Sequence, residues 1–168
     1  MKLDEIKTKR TILRWFQEDD LDDMAKVLGH PDVMRFSLSG PYSREKTKKF
    51  IDGCLSQYEK NGVGLYAVVF QADRRVIGYC GYYFQTIDGK EEVEISYRLH
   101  PDYWNQGLAT ETSKAVQEHG FNKLGFNRMI SIIESENIAS IKVAEKNGMI
   151  NEKDALFHNK VPVKIYSI

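Results

Sequence analysis

The order of β-prone runs and amphipathic helices along this chain places the strongest limit on its fold. Residues 65–70 and 76–83 are apolar and β-prone, and they stand on either side of a polar turn at residues 72–74, which predicts a β-hairpin. From residue 93 onward, strand and helix patterns alternate. Hairpins followed by strand–helix–strand–helix–strand predict a central mixed sheet with helices packed on it, an α/β (α+β) architecture.

Periodicity and turn residues give the bounds of each predicted element. Strands are predicted at residues 11–16, 65–70, 76–83, 93–99, 129–133 and 161–168. Helices are predicted at residues 18–28, 46–58, 108–124 and 138–146. Because no linker or repeat interrupts this series, we expect a single domain over residues 1–168.

Charge and hydropathy argue against several classes of protein. The 24 basic side chains balance 24 acidic ones, so the formal net charge is zero, which does not favour nucleic acid or an anionic membrane as a partner. No stretch approaches the roughly 20 apolar residues that span a bilayer. The charged N-terminus also lacks the apolar run of a signal peptide. We therefore expect a cytoplasmic protein with no nucleic-acid or membrane partner.

The cysteines and histidines show no metal or disulfide pattern. Cys54 and Cys80 lie far apart, and such isolated thiols are more often small buried hydrophobes than nucleophiles. Metal-ligand spacing is also absent from the four histidines, which are His30, His100, His119 and His158. We expect no metal.

The segment at residues 94–110 joins a strand to a helix through small residues. The strand stops at Pro101, and the helix opens at Gly107 and Ala109. Small side chains there would leave the first helical N–H groups uncovered, and bare N–H groups at a helix N-terminus bind pyrophosphate well. An ordinary tight turn has the same pattern, so spacing alone leaves both interpretations open.

The segment at residues 137–149 is the second informative one. It reads Asn-Ile-Ala-Ser-Ile-Lys-Val-Ala-Glu-Lys-Asn-Gly-Met. Taken by itself, Asn137 is typical of a helix N-cap, and Gly148 stands where helices usually stop.

Together these segments resemble those of the GNAT superfamily of N-acetyltransferases, and specifically its RimJ/RimL-like branch of ribosomal-protein N-terminal acetyltransferases. The pyrophosphate-loop pattern of the superfamily, Arg/Gln-x-x-Gly-x-Gly/Ala, falls on residues 104–109. Trp104 in its first position departs from the wider superfamily but is usual in this branch. The strand pattern of the branch falls on residues 94–101, and the N-terminal half fits at residues 11–15 and 32–36. The resemblance covers nearly the entire chain.

This resemblance implies a GNAT fold, with a mixed, mostly antiparallel sheet of six to seven strands flanked by about four helices. The fourth and fifth strands, at residues 93–99 and 129–133, would part in a V-shaped splay. It also implies acetyl-coenzyme A (acetyl-CoA) as co-substrate, and a homodimer is a possible assembly.

The same resemblance assigns coenzyme contacts. Backbone groups near Tyr97, Arg98 and Leu99 would hold the pantetheine. Asn137 and Ser140 would face the pantetheine arm and the thioester from the other side. The expected pyrophosphate contacts are the backbone N–H groups of Asn105, Gln106, Gly107, Leu108, Ala109 and Thr110.

Catalysis needs a base, because most amine acceptors are protonated near neutral pH. Glu94 is the candidate base, and a solvated strand residue is the alternative interpretation. Many superfamily members protonate the leaving thiolate with a tyrosine, but the corresponding residue here is Ala144. We therefore assign the general acid to Ser140, one turn earlier on the same helix face; an unassisted departure is the alternative.

The resemblance implies a primary amine as the acceptor, with a protein N-terminal α-amine as one candidate. Phe36 and Tyr66 are predicted to contact it, although aromatic residues in such elements are more often part of the core. Polyamines and aminoglycosides are alternative acceptors. A non-catalytic acyl-CoA sensor is the rival from another class, since the usual tyrosine is missing.

Overall fold

The computed structural model describes residues 5–168. Its strands are β1 (Ile6–Lys7), β2 (Thr11–Arg14), β3 (Leu65–Phe70), β4 (Arg75–Ile87), β5 (Lys90–Leu99), β6 (Ile130–Glu134), β7 (Ile150–Phe157) and β8 (Val161–Ser167). Its helices are α1 (Leu21–Leu28), α2 (Arg44–Asn61), α3 (Leu108–Asn122) and α4 (Ile138–Lys146), with short 3-10 turns at Glu18–Asp20 and Pro101–Tyr103.

All the strands of the described residues form one sheet in the order β1-β2-β3-β4-β5-β6-β8-β7. Every neighbouring pair is antiparallel except β5 and β6, which run parallel. These two strands pair at one position, Glu94 with Ile130, whereas β4 and β5 pair from Gly78–Leu99 to Ile87–Lys90. The backbone therefore opens between β5 and β6, which are the fourth and fifth strands of the predicted set.

The predicted mixed sheet and four helices are confirmed, but the strand count differs. The sheet has eight strands rather than six to seven. Two strands were not predicted: β1, which is two residues long, and β7. Four successive polar residues at positions 151–154 break the apolar alternation of β7, because this edge strand exposes both faces there. Pairing with β8, and not apolar burial, makes it a strand.

Helix α2 shows how a local signal sets a boundary. Ser43 precedes it, and its Oγ accepts a hydrogen bond from the Lys46 N–H at 3.1 Å. Gly62 closes the helix in the left-handed conformation with φ 73°. The observed helix thus extends the predicted 46–58 at both ends, since caps stabilise polar terminal turns that carry no periodic signal.

Two apolar layers lie on opposite faces of the sheet. Alternate residues of β3 divide between them: Tyr66 packs in the layer with α3, and Ala67 packs in the layer with α1 and α2. Strand β5 divides in the same way, because Leu99 lies in the α3 layer while Arg98 hydrogen-bonds Tyr79 of the other layer. Glu94 shares the parity of Arg98 and therefore lies on the α1/α2 face.

Over residues 5–168, no helix combines the length and the apolar character needed to cross a bilayer.

Candidate active site

The N-terminus of α3 is shaped by left-handed backbone. Asn105 has φ 59° and Gly107, the N-cap residue, has φ 77°. The first backbone hydrogen bond into the helix runs from Glu111 N–H to Gly107 C=O at 3.0 Å. Helix geometry leaves the N–H groups of residues 108–110 without an intrahelical acceptor, so this end can bind an anion. Trp104 anchors the turn, because its Nε1 donates to the Leu99 carbonyl at 2.7 Å.

The β1–β2 hairpin braces this turn. Arg10 donates from Nη1 to the Gln106 carbonyl at 2.8 Å and from Nε to Glu111 at 3.0 Å. The other Glu111 oxygen accepts from the Thr8 hydroxyl at 2.7 Å and from the Arg10 N–H at 3.0 Å. Burial alone would raise the pKa of Glu111, but these hydrogen bonds lower it below the usual range. Sequence reasoning missed Arg10, since nothing local connects it with a helix about a hundred residues away.

Replacing Arg10 by Ala should loosen the coenzyme-binding turn. We expect the Kd for coenzyme A to rise about 3- to 10-fold, because the charge-assisted bond that Arg10 donates to the loop is worth about 1.5–3 kcal/mol at most and the loop keeps its other contacts. Titration calorimetry would measure this. Arg44→Ala is the matched control, since Arg44 makes an exposed ion pair with Asp22. Equal affinities for the two variants would show that Arg10 does not position the turn.

Glu94 is buried on the α1/α2 face, with a relative exposure of 8%. Its carboxylate accepts hydrogen bonds from the Gln85 side-chain amide and from the backbone N–H of Ile132. Burial raises the pKa of Glu94 to about 7, and those hydrogen bonds together with the nearby Arg98 limit the rise. A carboxylate with such a pKa can take up and release a proton near neutral pH. The placement argues against the alternative of a solvated strand residue.

The neighbouring acids differ from Glu94. Glu91 is exposed, and Glu92 forms an ion pair with Arg128 at 3.1 Å. Arg128 also reaches Glu152 at 2.6 Å, which connects the start of β6 with β7. The Arg128 ion pairs connect β5 with β7, and Glu94 is the buried acid among residues 91–94.

Tyr97 and Ser140 meet across the opening between β5 and α4. The Tyr97 hydroxyl donates to Ser140 Oγ at 3.1 Å, and burial raises the pKa of Tyr97 to about 12. Asn137 Oδ1 accepts from the Ser140 N–H at 3.2 Å, so Asn137 caps α4. Ala144 lies buried against Ile133 and cannot supply a proton.

The backbone edges of β5 distinguish the predicted pantetheine contacts. The Ile95 carbonyl faces β6, where it accepts from the Ser131 hydroxyl at 3.2 Å. Alternation puts the backbone groups of Tyr97 and Leu99 on that same edge, beyond the last pairing with β6, while those of Arg98 face β4. The Leu99 carbonyl is already used by the Trp104 side chain. Tyr97 therefore offers the more accessible backbone groups.

The two aromatic residues predicted to contact the acceptor do not come together. Tyr66 is 2% exposed and packs in the α3 layer, with the Tyr82 ring centroid 6.2 Å away. This position is on the face opposite Glu94 and favours the alternative, a core residue. Phe36 is half-buried in the loop after α1, with the Arg35 guanidinium 5.4 Å from its ring centroid.

The two cysteines are buried and poorly suited to nucleophilic chemistry. Cys54 and Cys80 are buried, and burial raises the pKa of each thiol to about 12, which disfavours the reactive thiolate. Within residues 5–168, no three His, Cys, Asp or Glu side chains converge on a possible metal position.

Comparison with known proteins gives consistent matches. Residues 10–150 match the family described as "Acetyltransferase (GNAT) domain". The uncharacterized protein YkkB of Bacillus subtilis (strain 168) is 31% identical over 160 residues, which are 95% of this chain and 92% of YkkB. The spermidine N(1)-acetyltransferase of Escherichia coli (strain K12) is 26% identical over 159 residues, 86% of this chain and 75% of that enzyme.

Among solved structures, the fold is shared by RimL, a ribosomal L7/L12 alpha-N-protein acetyltransferase determined in complex with coenzyme A. The TM-score is 0.81 at 21% identity, with 98% of this chain and 97% of that chain covered.

Proposed function

Because this chain belongs to the GNAT acetyltransferase family, we propose that it transfers the acetyl group of acetyl-CoA directly to a primary amine, as one domain over residues 1–168. The observation that carries the proposal is the position of Glu94. This buried carboxylate lies where β5 and β6 begin to part, on one face of the sheet, while the Tyr97–Ser140 pair lies towards α4. A thioester and an amine can therefore meet in the opening from different sides.

Acetyl-CoA would bind along the outer edge of β5 and the start of α3. The N–H groups of residues 105–110 would hold the pyrophosphate, helped by the positive end of the α3 dipole. The backbone groups of Tyr97 and the N–H of Leu99 would pair with the pantetheine amides at the unpaired edge of β5, while the backbone of Arg98 faces β4. The RimL complex with coenzyme A supports this binding mode at the level of the fold.

Glu94 would accept the proton that the amine must lose. The amine nitrogen attacks the thioester carbonyl carbon, a C–N bond forms, and the C–S bond breaks. The amine proton passes to the carboxylate, directly or through water, and the thiolate receives a proton to give free coenzyme A. Since the pKa of Glu94 is about 7, the base form exists at neutral pH and the acid form can still return its proton to solvent.

Ser140 would protonate the thiolate, with Tyr97 behind it. The Tyr97 hydroxyl donates to Ser140 Oγ, which leaves the Ser140 proton free to point at the departing sulfur. This arrangement gives a two-hydroxyl path in place of the tyrosine that is absent at Ala144.

Removing either hydroxyl should slow the chemical step. Ser140→Ala and Tyr97→Phe are each expected to lower kcat about 10-fold, and the double variant should fall little further, because the two groups act in series. Steady-state thiol release would measure this, and Ser56→Ala at an exposed position of α2 is the matched control. Effects that simply multiply in the double variant would exclude a shared path.

The acceptor class can be tested together with the activity itself. Incubation with acetyl-CoA and a panel of peptides, polyamines and aminoglycosides, followed by titration of free thiol, should reveal turnover. The spermidine acetyltransferase relative keeps polyamines in this panel, and RimL supports a protein α-amine. A non-catalytic acyl-CoA sensor would bind coenzyme A in calorimetry and release no thiol with any amine.

A homodimer and a cytoplasmic location stay predictions of the sequence.

A further inference from the structure

A cleft of about 200 Å³ lies between the end of the β4–β5 hairpin and the β7–β8 hairpin. It is lined by Gln85 and Ile87 of β4. Ile132 of β6, Phe157 of β7 and Ile165 of β8 also line it. No residue of this cleft was singled out by the sequence.

The cleft lies on the same face of the sheet as Glu94. Ile130 pairs with Glu94 in parallel register, so Ile132, two residues further, points to that face. Ile165 pairs with Ile132 across β8 and shares its side. Gln85 connects the two places, because it is a lining residue of the cleft and its side-chain amide donates to the Glu94 carboxylate. An acceptor whose amine reaches Glu94 thus has this cleft beside it.

The chemistry of the lining favours an uncharged group. Seven of the eleven lining residues are apolar: Ile87, Ile132, Ala155, Leu156, Phe157, Val163 and Ile165. Among the lining residues, Asp88 has the sole carboxylate, and Lys153 holds it in an ion pair at 2.7 Å. A second or third ammonium group of a polyamine would therefore find no unpaired carboxylate in this wall.

We infer that this cleft binds an apolar group carried next to the reacting amine, so that the preferred acceptor is a primary amine with an aliphatic or aromatic group beside it, such as the α-amine of a peptide that begins with Leu or Phe. The volume suits one such side chain, since an apolar cavity of about 150 Å³ holds benzene. The inference rests on the proposed function and names its substrate class. A pocket lined mostly by apolar side chains distinguishes two substrates that differ by a small apolar group by about 10- to 200-fold in kcat/KM.

The test compares acceptors that differ in one group. Tripeptides beginning with Leu or Phe, the same tripeptides beginning with Ser, phenethylamine and spermidine would each be assayed for thiol release from acetyl-CoA. The Leu and Phe peptides should exceed the Ser peptide at least 10-fold in kcat/KM and should exceed spermidine by more. Phenethylamine separates the apolar group from the peptide bond, and a rate close to that of the Phe peptide would assign the preference to the cleft alone.

Two variants locate the effect. Ala155→Phe fills the cleft from β7 and should reduce the Leu-over-Ser preference to about 2-fold or less, with little change for the Ser peptide. Ile150→Phe, at a position of β7 that is 72% exposed and outside the cleft, should leave the preference unchanged. Coenzyme A affinity in calorimetry should be the same for both, which verifies that both variants are folded.

Three results would overturn the inference. These are equal kcat/KM for Leu and Ser peptides, a preference for spermidine, or a preference that survives Ala155→Phe. Each of them still includes thiol release and leaves the proposed function standing. Absence of thiol release with every amine would instead overturn the proposed function, and the inference with it.

Discussion

Replacing Glu94 by Gln is expected to lower kcat/KM about 100- to 10,000-fold near pH 7, the range over which positioned general bases act. Gln has nearly the same shape but cannot accept the proton of an ammonium group. The sign of the pH dependence follows from the raised pKa of about 7, because the carboxyl is protonated and inactive below it and ionised above it. In the unchanged protein, activity should rise as pH increases through about 7.

The variant should also change the form of the pH profile. Without Glu94, the rise in activity with pH should follow the pKa of the acceptor amine, which is about 7.7–8.0 for an α-amine. The loss of kcat/KM relative to the unchanged protein should therefore become smaller above that pH. Glu91→Gln is the matched control, since Glu91 is an exposed acid of the same strand. An unchanged rate and an unchanged profile for Glu94→Gln would remove Glu94 from the mechanism.

Replacing Gly107 by Val is expected to raise the Kd for coenzyme A about 10- to 100-fold. Gly107 has φ 77°, a conformation that costs a non-glycine residue about 1–3 kcal/mol and a β-branched residue more. The cost is conformational and not steric, because an added Cβ would first meet Arg10 Nη2 at an ordinary 3.6 Å. To relieve the strain, the backbone must turn, and the N–H groups at the start of α3 then lose their common direction.

Gly125→Val provides the control for this strain. Gly125 has φ 72°, nothing lies within 4 Å of an added Cβ, and it stands after α3, away from the binding turn. Calorimetry with coenzyme A should show unchanged affinity for Gly125→Val, while thermal melting shows similar destabilisation of both variants. Tight binding by Gly107→Val would refute the role of the α3 N-terminus and, with it, the proposed coenzyme site.

The sequence predicted elements best where local and tertiary signals agree. Helix α4 was predicted with its observed bounds, because Asn137 caps one end and Gly148 follows the other. Strand β7 was missed, because its polar middle gains strand structure by pairing with β8. Tyr66 was predicted to contact the acceptor, yet the pairing register of β3 turns its side chain into the α3 layer.

The sequence by itself determined the mixed sheet, the four helices and the glycine turn that opens α3, because periodicity, caps and turn residues act over a few neighbouring positions. Only the tertiary structure decided which groups meet at the site. The Gln85–Glu94 and Arg10–Gln106 hydrogen bonds and the cleft beside Ile132 join residues that are not neighbours in sequence and meet only in the folded chain. The raised pKa of Glu94 is likewise decided there, since burial is a property of the packed sheet and not of the residues beside it in sequence.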